Sequence, residues 1–205
     1  MIRFIAATKN RGKLKEITEI LADFPFAVMS MEKAGINMDI DENGCTFEEN
    51  ALIKARAVSE AAGEIVMADD SGLEVDFLNG APGIYSSRFA GEGATDGDRN
   101  NKLLGLLEGV PLERRTARFV CAVAVVFPDG RYFTVKGTCE GYINHKPAGI
   151  NGFGYDPLFY IPEYGETIAQ MDSETKNNIS HRGKALGLMV AELKKGWTED
   201  WVDNR

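Results

Sequence analysis

The sequence predicts an α/β protein built on a mixed β-sheet, and three features of its order indicate this class. Short apolar runs alternate with amphipathic segments through the N-terminal half, as buried strands and helices do. Two longer strand-like runs then flank a Pro-Asp-Gly turn, which is typical of a hairpin. The alternation favours parallel strands and the hairpin adds an antiparallel pair, so both kinds of pairing are expected.

The N-terminal elements can be placed from periodicity and capping residues. We predict a strand at 2–8, a helix at 9–24, a strand at 26–31 and a helix at 46–63. The last of these has the clearest limits. Thr46 and Glu49 have the spacing of a capping box, and Gly63 supplies the glycine that commonly follows a helix.

The segment VMADDSGLEVD and the elements after it complete the predicted fold. Residues 64–70 and 72–78 are predicted to be two strands joined by a tight turn at Ser71 and Gly72. There follow a long glycine-rich loop at 79–97, a helix at 98–110, the hairpin at 117–143, a second glycine-rich loop and a helix from Ser180 to about Lys195.

Composition excludes several classes of protein. The chain of 205 residues fits one domain, 1–205, and its net charge of −8 is unlike that of a general nucleic-acid binder. No apolar run approaches the roughly 20 residues that span a bilayer, and the N-terminus lacks a signal-peptide cleavage site. Three widely spaced cysteines and two histidines argue against a disulfide framework and a zinc site. We therefore expect a cytoplasmic protein.

The segment TKNRGK, Thr8 to Lys13, connects the first strand to the first helix. Helix N-termini bind anions through free N–H groups, and Thr8, Asn10 and Lys13 add donors and charge. The segment is not a Walker A motif. An ordinary capped helix with solvated lysines is the alternative explanation.

Two adjacent acids, Asp69 and Asp70, end the apolar run. Because successive strand side chains point to opposite faces, the two carboxylates should have different roles. One could be catalytic and the other could hold the turn; an acidic, solvated turn is the alternative. Mg²⁺ takes one or two carboxylates together with phosphate oxygens, so Asp70 and an acid of the turn DIDENG, residues 39–44, could bind it.

Three further segments could contact a ligand, although each has an ordinary structural explanation. Lys54 shares a helix face with Asn50 and could balance the acids or hold a phosphate. The glycine-flanked Phe153 of NGFGYD could bring a ring and backbone N–H groups to a flat heterocycle. His181 and Arg182 lie after a predicted N-cap, where cations oppose the helix dipole.

These segments together resemble the inosine/xanthosine triphosphate pyrophosphatases. The resemblance is carried by ATKNRGKLKEI, TFEENALIKA, ADDSGLEVDFLNGAPGIYSSRFAG, NGFGYDPLF and SHRGKAL, which cover the chain nearly end to end. It implies a two-lobed α/β fold with a long twisted mixed sheet and an active-site cleft between the lobes. It also implies Mg²⁺-dependent hydrolysis of deaminated purine nucleoside triphosphates to monophosphate and pyrophosphate.

The resemblance also assigns residue roles. Asp70 matches the catalytic acid, and Asp70 and Glu42 match the acids associated with Mg²⁺. The positions matching substrate contacts are Thr8, Lys9, Asn10, Arg11, Gly12, Lys13, Lys54, Ser71, Phe153, Gly154, Tyr155, Asp156, Lys176, His181 and Arg182. The expected partners are the nucleotide and a second copy of the chain in a homodimer, with no nucleic acid and no membrane.

Two other readings remain open from the sequence. A purine nucleotide sensor would need the phosphate loop and base pocket but no carboxylate that acts on water. A nucleotide pyrophosphatase of the septum-associated type has a similar architecture, but its motifs differ from ADDSGLEVD and SHRG.

Overall fold

A computed structural model describes residues 2–197 of the chain. The chain forms two compact units. The first comprises the described residues up to Asp70, residues 121–137 and those from His181 onward, and the second comprises 71–120 and 138–180. No helix in the described range is long and apolar enough to cross a membrane.

A seven-stranded sheet is the main structural element. Its strands are β1 (Ile2–Ala6), β2 (Phe26–Ser30), β3 (Val66–Val75), β4 (Thr116–Val126), β5 (Tyr132–Ile143), β6 (Phe159–Ile161) and β7 (Glu166–Thr167). They are ordered β2-β1-β3-β4-β5-β6-β7. β1 is parallel to β2 and to β3, whereas β6 is antiparallel to β5 and to β7. The predicted α/β class with a mixed sheet is confirmed.

Five α-helices accompany the sheet within the described residues. They are α1 (Arg11–Ile20), α2 (Phe47–Ala62), α3 (Asp96–Leu106), α4 (Ser173–Ile179) and α5 (His181–Glu192), the last continued by a π-helical turn at Leu193–Trp197. The predicted limits of α2 are confirmed. Thr46 accepts a hydrogen bond from the Glu49 N–H, and Gly63 adopts the left-handed conformation at φ 64°. The Glu49 carboxylate accepts from the Cys45 N–H, at 2.6 Å.

The predicted turn at Ser71 and Gly72 is wrong. β3 continues without a break from Val66 to Val75, because nearly all of its residues are buried and the strand pairs within the sheet. A strand buried on both faces reads as a continuous apolar run. The two acids and the serine interrupt that run in sequence, but they do not interrupt the strand.

The chain before α5 also differs from the prediction. Residues Ser173–Ile179 form α4, which the sequence analysis did not identify, and Ser180 ends this helix in an extended conformation. Asp172 caps α4 by accepting from the Thr175 N–H. The loop at 79–97 is partly ordered as a 3₁₀ helix over Gly83–Arg88. The frequent glycines had predicted an irregular loop here, but Ile84 and Ser86 lie in this ordered helix.

Each unit has its own apolar core. In the first unit, side chains of β1 and β3 pack with those of β4, α1 and α5, and Phe4, Met67 and Met189 are fully buried. In the second, Leu73 and Val75 of β3 pack with α3 and with the segment that carries Tyr155. Gly137 of β5 approaches α5 so closely that a Cβ there would lie 2.4 Å from the His181 carbonyl oxygen.

Candidate active site

Asp69 and Asp70 are adjacent in β3 and contact different partners. Asp69 lies against Lys13 and Arg182, whereas Asp70 lies against Asn50 and Lys54. Both carboxylates are buried, at 2% and 8% exposure. The pleat prediction that the two carboxylates face different sides of the strand is confirmed, but Asp69 holds no turn because β3 has none at this point.

Asp69 belongs to a buried charge cluster of two acids and two cations: Lys13, Glu16, Asp69 and Arg182. Its Oδ2 atom lies 2.9 Å from Lys13 Nζ and 3.1 Å from Arg182 Nη2. Arg182 also pairs with Glu16 of α1. Burial alone would raise the pKa of Asp69, but the charges of Lys13 and Arg182 outweigh it and hold that pKa below its ordinary range.

Asp70 forms a second group with the acidic turn. Lys54 Nζ lies 2.9 Å from Glu42 Oε2 and 3.4 Å from Asp70 Oδ1. Asn50 donates to Asp70 Oδ2 at 3.2 Å, and Asn50 and Lys54 share a face of α2 because they are four residues apart. Thus α2 presents an ammonium and an amide to one carboxylate.

The surroundings of Asp70 shift its titration opposite to that of Asp69. Burial raises the pKa of Asp70 above its ordinary value; the Lys54 ammonium lowers it and the Glu42 carboxylate raises it. Burial would lower the pKa of Lys54, but the neighbouring carboxylates, Asp70 first, raise it instead. Asp70 is therefore an acid whose ionised form depends on adjacent positive charge.

Glu42 and Asp70 are the donors available for a divalent cation. Both carboxylates face one ammonium, so they converge on a point where positive charge is stabilised. Across the described residues, no cluster of three or more His, Cys, Asp or Glu side chains is arranged to hold a metal alone. Two hard oxygen donors with the remaining positions left to phosphate and water suit Mg²⁺, so the residues fit an ion held together with its substrate.

The phosphate-loop candidates form the capped start of α1. Asn10 is the N-cap and accepts from the Lys13 N–H at 3.0 Å, while Thr8 Oγ1 accepts from the Asn10 N–H at 3.1 Å. Arg11 and Gly12 begin the helix, whose first N–H groups have no partner within the helix. Lys9 instead pairs with Asp39 at the surface. The two explanations offered for this segment, a capped helix start and an anion-binding site, are therefore compatible.

In the second unit, the loop 151–156, termed the aromatic loop, is extensively hydrogen-bonded. Asp156 accepts from the Phe153 N–H at 2.9 Å and from Lys176 Nζ at 2.7 Å, and both charged side chains are buried. Lys176 Nζ also lies 5.0 Å from the centre of the half-buried Phe153 ring, within cation–π range. A Cβ at Gly152 would lie 2.0 Å from Asp156 Oδ2, which explains the glycine.

The Tyr155 side chain lies inside the second unit. It is 4% exposed, packs in the apolar core of the second unit, and donates its hydroxyl to the Ser86 carbonyl at 2.9 Å. Burial raises its pKa. Tyr155 therefore anchors the loop, and Phe153 is the ring of this loop that is less buried.

The last sequence-predicted residues are placed as follows. Ser71 is half-buried in β3 directly after Asp70, and His181 begins α5 with its side chain buried. Arg182 is fully buried between Glu16 and Asp69, so these carboxylates fix its guanidinium. Sequence reasoning missed Glu16. Its position one helical turn after Lys13 was the available signal, since the two share a side of α1.

Comparisons with known proteins place the chain in one family. The model of the Ham1 family matches residues 4–192. The dITP/XTP pyrophosphatase of Desulforamulus reducens is 53% identical over 194 residues, covering 95% of this chain and 96% of that protein. Its counterpart in Geobacter sulfurreducens is 48% identical over 197 residues, covering 96% and 98%.

Solved structures give the same result. A HAM1 protein of Coxiella burnetii aligns with a TM-score of 0.86 and 41% identity, covering 96% of this chain and 100% of that one. The Ham1 protein of Staphylococcus aureus aligns with a TM-score of 0.84 and 42% identity over 94% of this chain and 98% of that one. The resemblance inferred from the motifs is confirmed.

Proposed function

Because the chain belongs to the Ham1 family, we propose that it hydrolyses deaminated purine nucleoside triphosphates, namely dITP, XTP and ITP, to the monophosphate and pyrophosphate. Relatives named dITP/XTP pyrophosphatase that align over almost their whole length support this substrate class. The observation that carries the proposal is the convergence of Asp70 and Glu42 on one ammonium. Such hydrolysis would keep non-standard purines out of DNA and RNA.

Asp70 is the proposed catalytic carboxylate and acts as the general base. Its carboxylate orients water and accepts its proton as the water oxygen bonds to the α-phosphorus. The bond from that phosphorus to the α–β bridging oxygen breaks, and pyrophosphate leaves with the bond electrons. The raised pKa of Asp70 suits a proton acceptor, because its conjugate base is stronger than an ordinary aspartate.

Mg²⁺ is the proposed cofactor, with Glu42 and Asp70 as its protein ligands. When bound, it supplies positive charge that neutralises the triphosphate. We expect no pyrophosphate release in excess chelator, and recovery with Mg²⁺ in preference to Ca²⁺, whose larger and looser coordination misplaces the reacting groups. Full activity in chelator would contradict this part of the proposal.

The other site residues are proposed to hold the substrate. Thr8 to Lys13, with Lys54, would bind phosphate oxygens through the helix N-terminus and the two lysines. Phe153 would stack on the base, while Lys176, His181 and Arg182 would contact the nucleotide as their matches in the family do. Ser71, Gly154, Tyr155 and Asp156 would complete these contacts or support them.

A panel of nucleoside triphosphates with pyrophosphate detection tests the function. We expect dITP, XTP and ITP to be cleaved and ATP to be a poor substrate. ATP carries a donor at C6, whereas the deaminated bases carry an acceptor, and an unpaired buried donor is costly. Binding of ITP without pyrophosphate release would favour the sensor instead.

A homodimer in the cytoplasm is proposed from the resemblance. The three free cysteines agree with a reducing compartment. Light scattering of the purified chain would give a monomer mass if the dimer is wrong.

A further inference from the structure

Two side chains of α3 hold the backbone of Gly154 from both sides, and neither was among the predicted site residues. The Gly154 N–H donates to Asp96 Oδ2 at 2.7 Å. The Gly154 carbonyl accepts from Asn100 Nδ2 at 3.1 Å. Asp96 and Asn100 are four residues apart and therefore share one face of the helix. We call these two contacts the α3 clamp.

The clamp is attached to an ordered helix start. Arg99 pairs with Asp96 and also donates to the carbonyls of Ser87, at 3.0 Å, and Ala94, at 2.6 Å. Thr95 caps α3 in a complete capping box. Because Asp96 is held through its second oxygen, the oxygen that receives the Gly154 N–H has a fixed position.

Asn100 places a polar amide in a buried position. It is 8% exposed, and among residues 2–197 no hydrogen-bond partner reaches its buried Oδ1 atom. A buried acceptor without a partner is unfavourable, so an apolar side chain of similar size would avoid this penalty. The hydrogen bond from Asn100 Nδ2 to the Gly154 carbonyl is the contact that an apolar side chain could not make.

The clamp acts on the residue that orients Phe153. Gly154 has φ 63°, and its neighbour Tyr155 is anchored to Ser86. Fixing both polar groups of Gly154 therefore leaves the preceding residue little freedom. Asp156 holds the Phe153 N–H, and Lys176 lies against the Phe153 ring. The position of the Phe153 ring is therefore restricted by the contacts of Phe153 itself and by the contacts of the next residue, Gly154.

We propose that Asp96 and Asn100 are positioning residues that preform the aromatic loop for a purine base. This rests on the proposed function, since it assigns Phe153 to the base. A loop that is ordered before binding does not lose its freedom on binding, so the clamp contributes to nucleotide affinity. It does not touch the reacting phosphate, so the hydrolytic step is unaffected.

The test is Asn100→Leu, with Asn101→Leu as the matched control on the exposed side of the same helix. We expect Asn100→Leu to raise KM for dITP about fivefold to tenfold, the scale of one hydrogen bond, and to change kcat less than about twofold. Its Tm should be unchanged, because the lost bond to Gly154 is offset by removal of the unpaired oxygen. The control should alter neither constant. An unchanged KM, or a fall in kcat with Tm, overturns the proposal.

Asp96 supplies a second variant. Asp96→Ala should raise KM similarly, and Asp96→Asn should recover most of the affinity because its amide oxygen still accepts the Gly154 N–H. Failure of this recovery overturns the proposed contact. Hydrogen exchange over residues 151–157 should be faster in Asn100→Leu than in the control, and equal rates would overturn the clamp even if the wild type releases no pyrophosphate. That last result would overturn the proposed function separately.

Discussion

The neighbouring carboxylates Asp69 and Asp70 have opposite electrostatic surroundings. Two cations stabilise the ionised form of Asp69, whereas burial disfavours the ionised form of Asp70. The pleat of β3 separates their partners, as the sequence predicted. The sequence could not show which cations pair with Asp69, because Lys13 and Arg182 are distant from Asp69 along the chain.

Asp70→Asn should lower kcat by at least about 10², the usual scale for removing a general base. KM should change less, because the amide keeps the shape of the side chain and can still contact its neighbours. Steady-state pyrophosphate release from dITP measures both constants. A wild-type kcat would remove Asp70 from the chemistry.

Asp69→Asn is the matched comparison, with the same chemical change one residue earlier. It should lower the free energy of unfolding by about 3 kcal/mol, because Glu16 would be the one acid left in the cluster to balance two buried cations, Lys13 and Arg182. Denaturant unfolding measures this loss. If Asp69→Asn is as stable as the wild type but has lost kcat, the two assignments are reversed.

The acidic limb of the pH profile should report Asp70. The base form of Asp70 is populated above its raised pKa. We therefore expect kcat/KM to fall as the pH decreases through a pKa that is higher than the pKa of an ordinary aspartate. Adjacent positive charge lowers the pKa of an acid, so saturating Mg²⁺ should move this limb to lower pH. A limb that does not respond to Mg²⁺ concentration would argue against contact between Asp70 and the ion.

The stability contributed by Asp69 follows the opposite rule. Its folded pKa is depressed, so this stability is present above the ordinary aspartate pKa and is lost only as the pH falls through the depressed value. The ion pairs of Asp69 should therefore persist throughout the pH range in which Asp70 titrates. Loss of activity on that limb should occur without unfolding, which circular dichroism can verify.

At the scale of secondary structure, capping and periodicity predicted α2 and the hairpin strands well. They failed at β3 and α4. Asp, Ser and Gly favour turns locally, but pairing within the sheet determines the conformation of Ser71 and Gly72. The seven-residue α4 is too short for a periodic apolar pattern, and its start is marked only by the cap at Asp172.

The contact of β5 with α5 gives a prediction about this pair of elements. Gly137→Ala should destabilise the protein by roughly 1–3 kcal/mol, because its Cβ would meet the backbone at His181 and Ala185. Gly187→Ala, in the interior of α5 and with nothing within 4 Å, is the control and should stabilise by up to about 1 kcal/mol. Equal Tm values for the two variants would show that β5 and α5 can separate at no cost.

At the scale of the whole molecule, the three cysteines differ in accessibility. Cys45 is exposed, whereas Cys121 and Cys139 are buried. Burial, with the negative charge of Asp69, raises the pKa of Cys121 to about 12, which suppresses its thiolate. A thiol reagent should therefore label one site per native chain and three per unfolded chain. Rapid labelling of two or three native thiols would contradict the packing around β4 and β5.

The family could be predicted because the motifs span the chain in order, and the match to residues 4–192 confirms it. The supporting contacts could not. Glu16, Asp96 and Asn100 act on residues far away in sequence, and their local pattern does not show which distant residues they contact. Such contacts require the tertiary structure.

The unbroken course of β3 also makes its chemistry depend on register. β1 pairs Ala6 with Met67, which fixes the phase of the strand two residues before Asp69. If one residue is lost before Asp69, every following side chain of β3 turns to the other face. Asp70 would then lie against the cations that pair with Asp69, and Ser71 would face Lys54. A deletion of one residue within Val66–Ala68 should therefore abolish activity. A change of one residue in the hairpin turn at 128–130 leaves the register of β3 unchanged, so this part of the chain should tolerate changes in length.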